Sequence, residues 1–278
     1  MPPRVWRCGG FELSLERPLL MGIVNVTPDS FSDGGKFVAA DEALSQAQRL
    51  LEEGADIIDV GAESTRPGAL GVDAEEELRR VRPVLAGLVG CGKPVSIDTH
   101  KPIVMRAALE LGASIVNDVR ALRDEGALQV VAESNCGVVL MNMRGTPADM
   151  QFAPEYADVV GEVAAFLTER RDAALAAGIS AERIAVDPGF GFGKRLRDNM
   201  ALLRELGILR RLGTVLAGVS RKSMLKNLTG RQFGARLGAT VAASIAAAAR
   251  GAEVLRVHDV GEIRDALTVW RAVNEAQL

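Results

Sequence analysis

Cysteine is scarce. Only Cys8, Cys91 and Cys136 occur in 278 residues, far apart, odd in number and without C-x-x-C spacing. That excludes a disulfide framework, argues against a thiolate zinc site and points to a reducing compartment. An excess of one charge is missing too: 33 Lys and Arg face 36 Asp and Glu, a net −3 at pH 7. The chain therefore presents no basic field for nucleic acid and no polybasic membrane patch. Its apolar runs fall far short of the roughly 20 residues of a membrane span. The opening Met-Pro-Pro-Arg passes through Trp6 into a charged, glycine-containing segment, with no apolar signal region. The expected location is the cytoplasm. Linkers, repeats and low-complexity segments are lacking as well, so residues 1–278 are expected to form one domain.

A nucleotide loop is also absent, although DPGFGFGKRL (Asp187–Leu196) resembles one at first sight. The pattern G-x-x-x-x-G-K-[ST] requires a glycine five residues before Gly193 and a hydroxyl after Lys194. Pro188 and Arg195 stand there instead. A Ser-His-Asp or Cys-His catalytic set is likewise not evident.

What is present is a regular alternation. After a segment suited to a short hairpin (VWRCGGFELSL) come LLMGIVNV, ADIIDV, PVSID, ASIVND, GVVLMNM, RIAVDP, TVLAGVS and EVLRVH. Each is a near-continuous apolar run, the pattern of parallel strands covered on both faces. Eight helical segments separate or follow them, several stopping at a glycine (Gly54, Gly112, Gly178, Gly251). Eight strands and eight helices in strict order predict an α/β fold, a single (β/α)₈ TIM barrel with an N-terminal hairpin. The alanine-rich run Ala239–Ala249 suits a helix packed on that barrel or one side of a subunit interface.

A barrel of this kind gathers functional side chains at the C-terminal ends of its strands. The runs end on Asn25, Asp59, Asp98, Asn117-Asp118, Met141-Asn142-Met143-Arg144, Asp187, Ser220-Arg221-Lys222-Ser223, and Arg256 with His258. One Asp after a strand can simply cap the next helix, and Asp59 and Asp118 admit that role. All eight ends together do not, because buried polar groups cost free energy. Asp98, Asp187 and Asn117 offer the paired acceptors and donors that suit a planar heterocycle with an amidine-like edge. Lys222, Arg66, Arg256 and His258 are expected as cations for an anionic ligand. Ser220 to Ser223 leads into a helix start, where free N–H groups favour an anion. Lys194 is expected on the rim, solvated or paired.

These motifs resemble those of the dihydropteroate synthases. MGIVNVTPDSFSDGGKF and DIIDVGAESTRPGA match the first two family signatures, and IDTHKP, IVNDV, DPGFGFGK, GVSRKS and RVHDV follow in family order. The resemblance runs from Leu20 to Val260. It implies a transferase of folate synthesis that joins a dihydropterin methyl diphosphate to para-aminobenzoate and releases diphosphate. It further implies Mg²⁺ dependence, a homodimer and inhibition by sulfonamides. Carried over residue by residue, Asp98, Asn117, Asp187, Lys222 and Met141 would line the pterin pocket. Asn25, Thr65, Arg66, Arg256 and His258 would take the diphosphate, with Asn25 also on Mg²⁺. Thr65, Pro67, Phe31, Phe192 and Ser223 would hold the aminobenzoate. Asp98, Lys222 and Asn25 would carry the catalysis. One departure is Asn142, where the family commonly has histidine between two methionines. Two other readings share the fold: a pterin-dependent methyltransferase barrel, and an inactive or divergent pterin-binding paralogue.

Overall fold

The computed structural model describes residues 4–26, 36–63, 71–145 and 155–275. Eight parallel strands close into a barrel in the order of the chain: β3 (Leu19–Asn25), β4 (Ile57–Gly61), β5 (Val95–Asp98), β6 (Ile115–Asp118), β7 (Gly137–Met141), β8 (Ile184–Asp187), β9 (Thr214–Ala217) and β10 (Val254–Val257), with β10 returning to β3. The helices between or after them are α1 (Lys36–Glu52), α2 (Ala74–Leu88), α3 (Pro102–Glu110), α4 (Ala127–Ala132), α5 (Val159–Ala176), α6 (Leu196–Arg204), α7 (Ser223–Thr229), α8 (Leu237–Ala249) and α9 (Val260–Glu275). The expected alternation is there, and α7, the helix expected to start after Ser220–Ser223, is one more than the count of eight. It is a short element between β9 and α8 that follows the Ser-Arg-Lys-Ser turn.

Strand side chains alternate between two environments, as the two-residue period of a strand demands. Ile58, Val60, Ile97, Val116, Val138, Val186, Val215 and Leu255 join the large core shared with the helices. The other set points into the barrel: Met21, Ile57, Ile115, Val139, Ala185, Leu216 and Val254 form a second buried cluster. Two residues further along, the inward set turns polar: Ile57 gives way to Asp59, Ile115 to Asn117, Ala185 to Asp187 and Val254 to Arg256. This switch within single strands is what places chemistry at one end of the barrel.

The opposite end is closed by the predicted hairpin, β1 (Val5–Cys8) paired antiparallel with β2 (Phe11–Ser14). Trp6 is fully buried in the inner cluster, and its indole N–H donates to the Arg183 carbonyl at 3.0 Å. Gly9 N–H donates to Asn135 O at 2.9 Å, and Arg4 reaches Gly213 O at 3.1 Å. Each acceptor lies just before a barrel strand. In α8, Thr240, Ala243, Ser244, Ala247 and Ala248 are buried, so the alanine-rich run packs one face on the barrel.

Candidate active site

Arg256 is the centre of the barrel mouth. Its Nε donates to Asp59 Oδ2 and its Nη2 to Asp98 Oδ2, both at 2.6 Å. Asp59 also accepts from Asn117 Nδ2 at 3.2 Å. That contact occupies one of the two amide N–H groups, so the Asn117 carbonyl oxygen and the second N–H are left for a ligand. Asp59 does not cap α2, whose N-cap is Asp73. It is a completely buried acceptor two residues inside β4, and its role was not legible from its position after an apolar run.

Burial pushes the Asp98 carboxyl up to about 7; Arg256 opposes the rise, and the carboxylates of Asp59, Glu77 and Asp118 add to it. Burial opposes the charge on Arg256, but Asp59 and Asp98 outweigh it and hold the guanidinium above its ordinary value. Asp187 is raised by burial, and the Gly189 N–H donating to its Oδ1 at 2.7 Å holds it back, as do Lys222 and Arg256. Lys222 is brought down to about 8, first by desolvation and then by Arg256. Its ammonium lies 4.0 Å from the centre of the Phe192 ring, a cation–π contact. Phe192 packs with Val119, Met141 and Met143 in a small apolar cluster. A flat ring thus finds carboxylates, an amide, an amine and a soft apolar wall in one place.

The wall after β8 is fixed by its glycines. Gly189 has φ +69° and a Cβ there would sit 1.9 Å from Asn142 O; Gly193 has φ +60° with Arg144 O at 2.3 Å. Only glycine fits such approaches at positive φ. The loop folds over Lys194, and here the sequence expectation fails. Lys194 is 5 % exposed and not on the rim. Its ammonium donates to Asn142 Oδ1 at 2.8 Å, Phe192 O at 3.0 Å and Asn142 O at 3.2 Å. Burial lowers it to about 7, with Asp187 acting in the other direction. The physical reason is that three carbonyl acceptors offset desolvation, so the amine can be enclosed. Asn142, the departure from the family pattern, is the side chain that supplies one of them.

His258 is a second correction. Burial, together with Arg221 and Arg256 nearby, lowers it to about 3. It is a neutral ring at pH 7 and not the expected cation. Its Nδ1 lies 3.0 Å from Ser220 Oγ. The neighbouring Arg221, at φ +57°, is bound to Asp259, with 3.1 Å from Nε.

The remaining expected residues divide in two. Asn25 ends β3 and is exposed, and Ser223 is exposed at the first residue of α7. Phe31, Thr65, Arg66 and Pro67 lie outside the described residues. At the edge of that gap, Lys101 joins Glu63 to the buried Glu77, 2.5 Å from the latter. Sequence reasoning missed this bridge, for which only the IDTHK charges gave a signal. Among the described residues, no three His, Cys, Asp or Glu side chains gather as a metal site. Asn25 offers a single neutral, hard oxygen. That oxygen could be one ligand of a Mg²⁺ ion whose other ligands are waters and phosphate oxygens.

Comparison with known proteins agrees with this geometry. A family model described as "Pterin binding enzyme" matches residues 21–258. The dihydropteroate synthase of Neisseria meningitidis serogroup C is 51% identical over 98% of this chain and 99% of its own length. That of Xanthomonas albilineans, solved with 4-aminobenzoic acid, is 54% identical, superposes with a TM-score of 0.92 and is covered over 98% of both chains. The Burkholderia cenocepacia dihydropteroate synthase complexed with 7,8-dihydropteroate is 48% identical, with a TM-score of 0.90 over 99% of this chain and 98% of that one. The protein therefore belongs to the dihydropteroate synthase family of pterin-binding enzymes.

Proposed function

We propose that this chain condenses a dihydropterin methyl diphosphate with para-aminobenzoate, giving dihydropteroate and diphosphate. The observation that carries the reading is the set at the strand ends, the buried Asp98, Asn117 and Asp187 with the half-buried Lys222 and Arg256, in a chain close to full-length synthases. Asp187 accepts from the amino-pyrimidine edge of the pterin, the Asn117 carbonyl accepts alongside it, and Lys222 donates to the ring carbonyl and nitrogen. Met141 and Phe192 cover the ring faces, adding affinity in proportion to the apolar area removed from water.

The reaction follows from the charges. The methylene–oxygen bond breaks and its electron pair leaves with diphosphate, while the ring nitrogen shares the positive charge left on carbon. Asp98, buried beside the ring, stabilises that cation electrostatically. Arg256, the neutral His258 as a hydrogen-bond donor, and Asn25 receive the diphosphate, with Thr65 and Arg66. Asn25 would hold Mg²⁺ when it is bound, and the ion would supply Lewis-acid neutralisation of the leaving diphosphate. The aryl amine, neutral at pH 7, attacks the methylene carbon and loses one proton to solvent. Phe31, Thr65, Pro67 and Phe192 seat its ring and Ser223 its carboxylate. Sulfonamides, aryl amines of similar outline, are expected to compete for that seat.

A homodimer is part of the proposal. Leu228, Leu237, Val269 and Val273 are exposed on α7, α8 and α9, which supports an apolar contact there; light scattering of the purified chain tests it. A cytoplasmic site of action is supported by Cys8, Cys91 and Cys136 all being free thiols. No helix among the described residues is long and apolar enough to cross a membrane.

The test of the reaction is diphosphate release from the pterin diphosphate. Release that depends on para-aminobenzoate and disappears in Asp187→Ala and Lys222→Ala is the expected result. Tight pterin binding without turnover would overturn the reaction and favour a binding paralogue.

A further inference from the structure

Past the C-terminal end of β7, between the Arg120–Arg123 turn and α5, lies a cavity of about 440 Å³ that the proposed synthase reaction does not use. Arg120, Arg123, Arg144, Tyr156, Glu162 and Phe166 line it. Three guanidiniums against one carboxylate leave its lining with an excess of two positive charges.

Two of the arginines are held there by a strained and heavily braced backbone. Between Arg120 and Arg123, the buried Ala121 and Leu122 have φ of +55° and +57°, a conformation that non-glycine residues keep only when their surroundings enforce it. The buried Asp118 accepts from the N–H groups of Arg120 and Leu122, both at 2.7 Å. From the other side, Arg170 of α5 donates to the carbonyls of Ala121 at 2.9 Å and Leu122 at 3.1 Å. The brace uses one carboxylate and one guanidinium to present two more guanidiniums.

Their donors are not consumed. Arg123 lies over the Phe166 ring, 5.5 Å from its centre, and gives only its Nε to the Arg120 carbonyl at 3.1 Å. Among the described residues it has no carboxylate partner. Arg120 meets Asp124 through Nη1 at 3.1 Å, and Asp124 is shared with His100 at 2.6 Å. Arg144, by contrast, is engaged by Glu162 at 2.5 Å and by the Tyr156 ring at 3.9 Å. The Tyr156 hydroxyl is buried and has no hydrogen-bond partner among the described residues. A buried donor of this kind asks for an acceptor.

We propose that this cavity binds a flat organic dianion, an aryl or conjugated dicarboxylate, with one carboxylate on the free edge of Arg123 and the other on Arg120. The planar fork of each guanidinium matches a carboxylate. The flat body lies against Met143 and the stacked guanidinium–aromatic layer, and the Tyr156 hydroxyl donates to one carboxylate. A volume of this size is that of a small-molecule site. Met143 lines the cavity and also packs against Met141 and Phe192, so the site adjoins the proposed pterin pocket, and binding in the presence of dihydropteroate is what distinguishes the two.

The experiment is calorimetric titration of benzene-1,3-dicarboxylate into the full chain after saturation with 7,8-dihydropteroate, which fills the proposed substrate seats. One equivalent is expected to bind and to weaken with salt, as exposed charge pairs do. Arg123→Gln and Arg120→Gln are each expected to weaken it at least about tenfold, and Tyr156→Phe less, while their affinity for dihydropteroate stays at the wild-type value. Absence of binding, wild-type affinity in Arg123→Gln, competition by dihydropteroate, or tighter binding of inorganic diphosphate overturns the proposal. Failure of dihydropteroate itself to bind in the first step counts against the synthase reading alone.

Discussion

Replacing Arg256 with methionine leaves two buried carboxylates without their shared cation. Asp59 is fully buried and Asp98 is 8 % exposed, and each holds Arg256 at 2.6 Å. Removing one partner of a buried ion pair costs about 3–5 kcal/mol. For a chain of this size, each kcal/mol is roughly 2–4 °C of thermal midpoint, so a fall of about 10 °C is expected at pH 8. The deficit depends on pH. Asp98 already sits at about 7 and Arg256 is what pulls it down, so in the variant it rises further. A carboxyl raised in the folded state binds a proton that the unfolded chain has released, and stability falls as pH climbs towards the folded value. The variant therefore recovers part of its deficit at pH 6, and Asp98→Asn placed on top of Arg256→Met recovers part of it at pH 8. Thermal melts followed by circular dichroism across that range, with pterin binding in parallel, make the test. A shift under about 3 °C at pH 8, or a deficit that grows on acidification, would refute the reasoning.

Gly189→Ala should lower the unfolding free energy from urea titration by about 2 kcal/mol or more, because its Cβ would meet Asn142 O at 1.9 Å, and pterin affinity should fall with it. An unchanged unfolding free energy contradicts the close approach. For Lys194, lowered from 10.5 to about 7, the unfolded chain binds more protons between those values, so the wild type gains stability as pH rises through that window. Lys194→Met lacks that gain, and its unfolding curves should separate from the wild type's with rising pH; parallel curves would show that the amine keeps its charge. His258, at about 3, should give no inflection in diphosphate affinity between pH 5 and 8. The ratio of wild type to His258→Gln should stay flat there, and a histidine-like step lost in the variant would mean that the ring is charged.

The barrel was legible because burial on both strand faces leaves continuous apolar runs, and helix stops fall on Gly54, Gly112, Gly178 and Gly251, all at positive φ. The strand-end rule likewise located Asp98, Asn117, Asp187 and Lys222. What stayed hidden were pairings across long separations. Arg256 and Asp59 are 197 residues apart, and nothing local in either segment says that one will neutralise the other. Lys194 and His258 were misjudged for a related reason: a side chain's charge state depends on what encloses it, and a sequence shows type without enclosure. The phosphate-like appearance of DPGFGFGK dissolves for the same cause, since its glycines serve approaches to the carbonyls of Asn142 and Arg144.

The hairpin beneath the barrel has a kinetic consequence. With Trp6 and its neighbours sealing the far end, the barrel is a blind well with one opening. Under the proposed reaction, a pterin seated on Asp187 and Lys222 must therefore enter before the aryl amine, and the joined product leaves through the same mouth in one piece.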